Sequence, residues 1–239
     1  MNKYNGKINI LHLIEGAKQA KGLTVIIDVF RAFSLECYLY DMKVKGIRPV
    51  GSLEDALALG ECYKDKGEEC ILIGERGGAK CEGFDYGNSP STIEEQDVKD
   101  KMIIHTTSAG TQGIVNATGA SEIITGSLVN AKAIAEYIIK KQPDTVSLVC
   151  MGNAGISIGL EDELCAQYIK SILEGKEMED IKNRVEQLQI EGGDHFFDAD
   201  RQDIYPEKDF WMCTQYNRFP FVIGAYKDEI GYVTGVVRM

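Results

Sequence analysis

Apolar segments of strand length alternate with segments of helical periodicity along most of this chain of 239 residues. The segment 23–29, LTVIIDV, is typical of a buried strand, and the segment after it has the spacing of a helix. The predicted strands are 23–29, 46–50, 70–74, 102–105, 122–125 and 146–150, with a further strand or hairpin at 221–237. The predicted helices are 33–42, 53–66 with Ser52 as its N-cap, 110–117, 130–141, 161–174 and 182–189. This alternation predicts an α/β fold.

A polar, glycine-rich stretch at 75–91 interrupts the alternation and separates two runs of strand–helix units. Loops of that length inside a compact chain are often functional. We therefore divide the chain into a first α/β repeat at 1–100 and a second at 101–239, which carries a C-terminal extension; both boundaries are approximate. The part of the second repeat at 192–219 is polar, aromatic and rich in turn-forming residues.

The charge balance narrows the class of ligand. The chain carries 26 basic and 37 acidic residues, a formal net charge of −11. An acidic surface disfavours nucleic acids and anionic membranes as partners, but a local group of arginines, backbone N–H groups and a divalent cation can still bind a small anion. The chain shows no signal-peptide pattern and no apolar stretch near the ~18 residues that a bilayer requires, so we expect a cytoplasmic protein.

Polar side chains follow several predicted strands, which is where ligands bind in open α/β sheets. They are Asp28 and Arg31, Glu75 and Arg76, Thr107 and Ser108, and, opening the helix after the strand 146–150, Glu161 and Asp162. Because the carboxyl ends of parallel strands share one edge, this placement makes a common site geometrically simple.

The carboxylates each have two interpretations. Asp28 lies among apolar residues, where a carboxylate is costly to bury unless it is paired or binds a cation. It is therefore either a functional group or half of a structural salt bridge to a neighbour such as Arg31. Glu161 and Asp162 could bind a metal, but acidic residues in the first turn of a helix also complement the helix dipole.

Two glycine- and hydroxyl-rich connections could bind an anion. In ERGG, Arg76 could hold a phosphate or sulfonate with its two-pronged guanidinium, while Gly77 and Gly78 let backbone N–H groups approach an oxyanion. The alternative is an ordinary turn with a surface arginine. The segment 106–113, TTSAGTQG, could bind an anion or merely cap the helix that follows.

Two common phosphatase patterns do not fit this chain. The D-x-D pattern of haloacid-dehalogenase phosphatases fails because residue 30 is phenylalanine. Cys70 and Arg76 have the spacing of a cysteine-phosphatase loop, but the residues between them are those of a strand, which would hold the two side chains far apart. The three histidines, His12, His105 and His195, have no metal-ligand spacing.

Six segments occur together in one order and carry a resemblance. They are VIIDVFRAFS at 25–34, GERGG at 74–78, GFDYGNSP at 83–90, TTSAGTQ at 106–112, GSLVNA at 126–131 and G-x-E-D at 159–162. This series resembles the 2-phosphosulfolactate phosphatase family over roughly residues 23–175. The resemblance implies two intertwined, apparently duplicated α/β domains with mixed sheets and a cleft between them. It also implies Mg²⁺-dependent hydrolysis of 2-phosphosulfolactate to 3-sulfolactate and phosphate, an early step where coenzyme M is made.

On this resemblance we expect the site to be built as follows. Asp28, Glu161 and Asp162 hold Mg²⁺, and Asp28, Arg31, Glu75 and Arg76 are the catalytic residues. The arginines bind the phosphoryl oxygens or the sulfonate. The substrate-binding residues are Gly77, Gly78, Asp85, Asn88, Thr107 and Ser108. The nucleophile, Asp28 or a water molecule, stays open.

The chain departs from the family pattern at Phe30 and Phe33, and at 107–111 it has TSAGT where the family often has T-N-G-T. These differences leave the substrate more open than the reaction. The alternatives are a phosphatase, phosphotransferase or lyase that acts on another small anionic phospho-acid, and a non-catalytic protein that binds an anionic metabolite. A homodimer is compatible with either.

Overall fold

The computed structural model describes residues 3–176 and 178–237, and in them ten strands form one mixed sheet flanked by helices. The strands are β1 Lys7–His12, β2 Gly22–Ile27, β3 Gly46–Pro49, β4 Cys70–Arg76, β5 Ala79–Lys80, β6 Met102–Thr106, β7 Ala120–Gly126, β8 Thr145–Cys150, β9 Val222–Lys227 and β10 Tyr232–Val237. The helices are α1 Leu13–Gln19, α2 Ala32–Asp41, α3 Leu53–Asp65, α4 Pro90–Ile93, α5 Gly110–Asn116, α6 Ala131–Lys141, α7 Leu160–Leu173, α8 Ile181–Gln187 and α9 Glu207–Thr214.

The sheet contains two parallel groups that run in opposite directions. Its strand order is β1-β8-β2-β7-β9-β10-β3-β6-β4-β5. Strands β1, β8, β2 and β7 are parallel to one another, as are β3, β6 and β4. Three antiparallel pairings, β7 with β9, β9 with β10 and β10 with β3, join the groups. The C-terminal hairpin β9–β10 thus completes the sheet.

Two connections cross between the groups in opposite senses. After β2 the chain passes through α2 to β3 in the other group, and after β6 it returns through α5 to β7. The two crossing segments meet where Gly110, the first residue of α5, lies against Asp28 and Phe33. A Cβ on Gly110 would lie 2.8 Å from Asp28 Oδ2, so only glycine allows this approach. The crossing, rather than a shared strand edge, brings the predicted residues together.

Apolar faces of the helices hold this arrangement. Ile134 and Ile138, one turn apart on α6, and Ile169 on α7 are fully buried against the β1–β8–β2–β7 group. Each such side chain contributes on the order of 1.5–3 kcal/mol on burial. In the described part of the chain, no helix combines the length and the apolar character needed to span a bilayer.

The predicted α/β class with a mixed sheet is confirmed, and each predicted strand and helix has a counterpart within a few residues. The predicted Ser52 cap is also confirmed, since its side chain accepts a hydrogen bond from the backbone N–H of Asp55. The sequence interpretation missed β1, α1, α4, α9 and the short strand β5 inside the polar stretch. The division near residue 100 stays a prediction.

Candidate active site

A cavity of about 510 Å³ lies where the two crossing segments meet. Most of the predicted site residues line it, namely Asp28, Arg31, Glu75, Gly77, Gly78, Asn88, Thr107 and Ser108. They come from the ends of β2, β4 and β6 and from the polar stretch before α4. Gly152, Asn153 and Ala154 from the connection after β8 complete this part of the wall. The fold therefore brings these segments together around one cavity.

Asp28 is a buried carboxylate that faces the cavity, with 7% of its surface exposed. Gly110 lies directly against this carboxylate. Burial, followed by the negative charges of Asp162, Glu75 and Glu161, raises the pKa of Asp28 well above its ordinary value. In the parts of the chain that the structure describes, Asp28 forms no ion pair, so the interpretation as a salt bridge to Arg31 was wrong.

Two further carboxylates lie behind Asp28, at the start of α7. Asp162 accepts hydrogen bonds from the backbone N–H groups of Val29 and Gly152, each at 2.8 Å. Burial raises the pKa of Asp162 to about 7, and burial together with the charge of Asp162 raises the pKa of Glu161 to about 8. Both side chains are buried and neither lines the cavity. Asp162 joins the connections after β2 and β8, and both carboxyls place negative charge behind Asp28 when they are ionised.

Glu75 joins two loops of the cavity wall. Its carboxylate accepts hydrogen bonds from the backbone N–H of Ser108 at 2.7 Å, from the Ser108 hydroxyl at 3.2 Å and from the backbone N–H of Gly78 at 2.9 Å. Gly78 has φ +85°, a left-handed conformation that favours glycine. Glu75 therefore fixes the glycine turn after β4 against the loop after β6.

Arg31 ties three segments together at the cavity wall. Its guanidinium donates to Asp209 Oδ2 at 3.2 Å and to the carbonyl oxygens of Ile204 and Gly78 at 2.8 Å each. The Arg31 and Asp209 side chains are 3% and 0% exposed. Asp209 also accepts from the Ser89 hydroxyl at 2.9 Å. Because both terminal nitrogens of Arg31 are engaged, this residue organises the wall and has little donor capacity left for a ligand.

Arg76 and Asp85 do not line the cavity. Strand β4 runs two residues beyond its predicted end, and since successive side chains on a strand point to opposite faces, Glu75 faces the cavity and Arg76 does not. Arg76 instead donates to the backbone carbonyl of Glu75 and to the Thr106 hydroxyl. Asp85 is exposed, and its carboxylate accepts from the backbone N–H of Leu72 in mid-strand. The geometry therefore does not favour direct contact between a ligand in this cavity and Arg76 or Asp85.

The donor set around Asp28 fits a divalent cation. The mutually repelling carboxylates of Asp28, Glu161 and Asp162 have no cationic side chain paired with them in the described residues. Asn88 adds a side-chain oxygen that is buried and has no hydrogen-bond partner there. Oxygen ligands of this kind are those that Mg²⁺ prefers. The ligand atoms of Asp28, Glu161 and Asp162 do not all lie within 4.8 Å of one another in the described residues, so the three predicted ligands do not form one closed cluster.

The rest of the cavity wall was missed by the sequence interpretation. His195, Arg201 and Tyr205 line the cavity from the stretch predicted only as polar and aromatic. Burial, with the charges of Arg31 and Arg201, lowers the pKa of His195. The sequence signal that could have found them was the density of aromatic and charged residues in 192–219, which has no regular periodicity.

One cluster of mixed donors lies apart from the cavity lining. His12 contacts the Glu163 carboxylate, and their ligand atoms and the Cys150 sulfur all lie within 4.8 Å of one another. The spacing of His12 in the sequence gave no sign of this group, because its members come from β1, β8 and α7. The His12–Glu163 pair covers a cysteine that is buried in the core.

The sequence profile of the 2-phosphosulpholactate phosphatase family matches residues 8–199. The chain belongs to the 2-phosphosulpholactate phosphatase family. The matched range contains every predicted site residue, from Asp28 to Asp162, and ends before Arg201 and Tyr205.

Several relatives of the chain are named "Probable 2-phosphosulfolactate phosphatase". The one from Caldicellulosiruptor saccharolyticus is 40% identical over 148 residues, 60% of this chain and 59% of the relative. The one from Bacillus subtilis is 31% identical over 209 residues, 86% of this chain and 88% of the relative. The one from Clostridium acetobutylicum is 36% identical over 166 residues, 68% of each chain.

Proposed function

We propose that this chain is a Mg²⁺-dependent phosphoric monoester hydrolase that converts 2-phosphosulfolactate to 3-sulfolactate and phosphate. The observation that carries the proposal is the buried Asp28, which has no ion-pair partner among the described residues and faces a cavity lined by most of the predicted site residues. Membership of the phosphatase family and the names of the relatives support the reaction and the substrate.

Asp28 holds the cation from the cavity side, with Asn88 as the neutral oxygen donor. Glu161 and Asp162, which repel Asp28 when all three are ionised, supply the negative charge that favours a cation at this place. When bound, Mg²⁺ neutralises phosphoryl charge and polarises phosphorus. The Thr107 hydroxyl lines the same wall and donates to a phosphoryl oxygen in place of its long 3.5 Å contact with the Thr111 hydroxyl.

The nucleophile is either Asp28 or a water molecule that Asp28 activates. Direct attack forms an aspartyl phosphate, which rapid acid quench and mass spectrometry detect as a phosphate adduct on Asp28. Activation of water gives no adduct, although solvent oxygen enters the released phosphate by either route. The presence or absence of the adduct during a single turnover therefore distinguishes the two mechanisms.

Phosphate release tests the proposal. Racemic 2-phosphosulfolactate is supplied with Mg²⁺ or with EDTA, beside a panel of other small phosphate esters and an alcohol acceptor. We expect Mg²⁺-dependent release from 2-phosphosulfolactate in preference to the panel. Phosphate transfer to the acceptor would instead reveal a phosphotransferase. Tight binding of the ester without release would indicate a binding protein.

We expect Mg²⁺ to stabilise the protein more at pH 8 than at pH 5.5. The pKa values of Asp162 and Glu161 are raised to about 7 and about 8, and that of Asp28 is also raised, so the folded state holds protons that the unfolded chain releases near pH 4. Stability from these groups is present at low pH and is lost as the pH rises from about 4 to about 8. Because Mg²⁺ binds the deprotonated groups, it restores that stability, by about 2.7 kcal/mol at 100 times its Kd.

Thermal unfolding measured at both pH values, with Mg²⁺ and with NaCl of equal ionic strength, checks this expectation. Asp28→Asn should reduce the difference between the two pH values, since one of the three titrating carboxyls is gone. A Mg²⁺-dependent shift of the unfolding midpoint that is equal at pH 5.5 and pH 8 would contradict the assignment of the ion to these carboxylates.

A further inference from the structure

The basic side of the cavity contains one arginine whose donors are all unengaged. Arg201 lines the cavity, is exposed, and its guanidinium forms no hydrogen bond or ion pair in residues 3–176 and 178–237. Arg31, in contrast, has its two terminal nitrogens committed to Asp209, Ile204 and Gly78. His195 adds little charge near neutral pH, because its pKa is lowered. Among the residues that the structure describes, the cation available to a ligand in this cavity is therefore Arg201.

Tyr205 orients Arg201 without using its donors. The guanidinium carbon of Arg201 lies 4.6 Å from the centroid of the Tyr205 ring, a cation–π contact that leaves all five N–H groups available. The Tyr205 ring is itself fixed by three contacts. Its hydroxyl donates to the carbonyl oxygen of Gly77 at 3.0 Å, it packs in a T-shaped arrangement with the His195 ring at a centroid separation of 4.6 Å, and the guanidinium carbon of Arg31 lies 4.9 Å from its centroid. The aromatic platform thus ties Arg201 to the same glycine turn that Glu75 holds.

We propose that Arg201, on its Tyr205 platform, is the subsite for the non-reacting sulfonate of the substrate. This inference rests on the proposed function and adds to it the residue that selects, among phosphate monoesters, those that carry a second, strongly acidic oxyanion. The cavity wall contains an acidic side at Asp28 and Glu75, suited to a cation and the phosphoryl group, and a basic side at Arg201. A guanidinium binds two oxygens of a sulfonate through parallel N–H groups.

The reaction itself does not need Arg201. A phosphoryl group bound through a cation and the Thr107 hydroxyl can be hydrolysed whether or not the rest of the molecule carries a sulfonate. The interaction between Arg201 and the sulfonate is the same before and during the reaction, so it acts mainly on KM. Arg201 is therefore expected to set selectivity among phospho-acids.

The test compares two substrates that differ at one group. 2-Phosphosulfolactate carries the sulfonate, and 2-phospholactate has a hydrogen in its place with the same phosphate and carboxylate. Arg201→Gln should lower kcat/KM for 2-phosphosulfolactate about 20-fold, mostly through KM, with a much smaller loss for 2-phospholactate. Arg201→Lys should recover part of the loss, because it keeps the charge but not the planar fork.

Arg184→Gln is the matched control. Arg184 is a surface arginine on α8 that pairs with Asp180 and Gln167 away from the cavity lining. This control should leave the ratio of the two kcat/KM values unchanged. Equal losses for both substrates in Arg201→Gln, or no loss for either, would overturn the subsite.

Binding of the product separates failure of the subsite from failure of the proposed function. If the wild-type chain hydrolyses neither ester, the proposed function fails, and calorimetry with 3-sulfolactate and lactate still tests the subsite. Tighter binding of 3-sulfolactate than of lactate in the wild type, lost by about 20-fold in Arg201→Gln, supports it. Affinity for 3-sulfolactate that is the same in the wild type and in Arg201→Gln contradicts it.

Discussion

Asp28→Asn is expected to lower kcat by at least about 10³-fold while the protein stays folded. The substitution keeps the size of the side chain but removes the charge that the proposed cation and reacting phosphate require. Asp28 is buried and lies near the carboxylates of Asp162, Glu75 and Glu161, and it has no ion-pair partner in the part of the chain that the structure describes. Removing its charge also removes repulsion, so the unfolding midpoint at pH 8 without Mg²⁺ should stay the same or rise. Steady-state phosphate release and thermal unfolding measure the two effects.

Asp85→Asn is the matched control for this change. Asp85 is also predicted from the sequence as a site residue, but it is exposed, lies outside the cavity lining and accepts from the backbone N–H of Leu72. The same chemical change at Asp85 should leave kcat within about twofold, because surface substitutions away from a buried polar network usually have small effects. Near-normal turnover in Asp28→Asn would show that Asp28 is not part of the mechanism. A large loss of kcat in Asp85→Asn would show that the loop around Asp85 takes part in it.

Asp209→Ala is expected to cost about 3–5 kcal/mol of stability, because it leaves the guanidinium of Arg31 buried without its partner. The Arg31 and Asp209 side chains are 3% and 0% exposed. The variant also removes the acceptor for the Ser89 hydroxyl and for the backbone N–H of Ser91. Loosening of Arg31 frees the Gly78 turn, so kcat should fall as well. Urea unfolding and phosphate release under conditions where the variant is folded measure these losses.

Two variants keep this prediction testable if Asp209→Ala does not fold. Asp209→Asn keeps the shape and one acceptor oxygen, so a smaller loss in the same direction is expected. Asp180→Ala breaks the exposed Asp180–Arg184 pair on α8 and should barely move the urea midpoint. Equal effects of Asp209→Ala and Asp180→Ala would mean that the Arg31–Asp209 pair does not hold the cavity wall.

The sequence determined the class of fold and the position of the central carboxylate. Alternating strand and helix patterns are local, with periods of 2 and 3.6 residues, and they located most of the elements that surround the cavity. Asp28 stands out because an ionisable group inside an apolar strand segment needs a reason to be there. The ordered motifs led to the family that the chain belongs to.

The position at which strand β4 ends decides the direction of the Arg76 side chain. The predicted strand stopped at residue 74, and the continuation of β4 to Arg76 makes Glu75 and Arg76 point to opposite faces. Secondary-structure propensity predicts the ends of strands poorly, because hydrogen bonds with neighbouring strands extend or shorten them. Here β5 pairs with the end of β4 and carries it into what looked like a loop.

Only the tertiary structure decided which charges meet. Arg31 follows Asp28 by three positions, yet its partner is Asp209, 178 residues farther along the chain. Arg201 and Tyr205 enter the cavity from a stretch without periodicity, and His12 meets Glu163 across 151 positions. Local pattern depends on neighbours along the chain, whereas an ion pair depends on which distant segments pack together and exclude water. For that reason the sequence located Asp28, and only the fold showed which arginine stays free to meet a ligand.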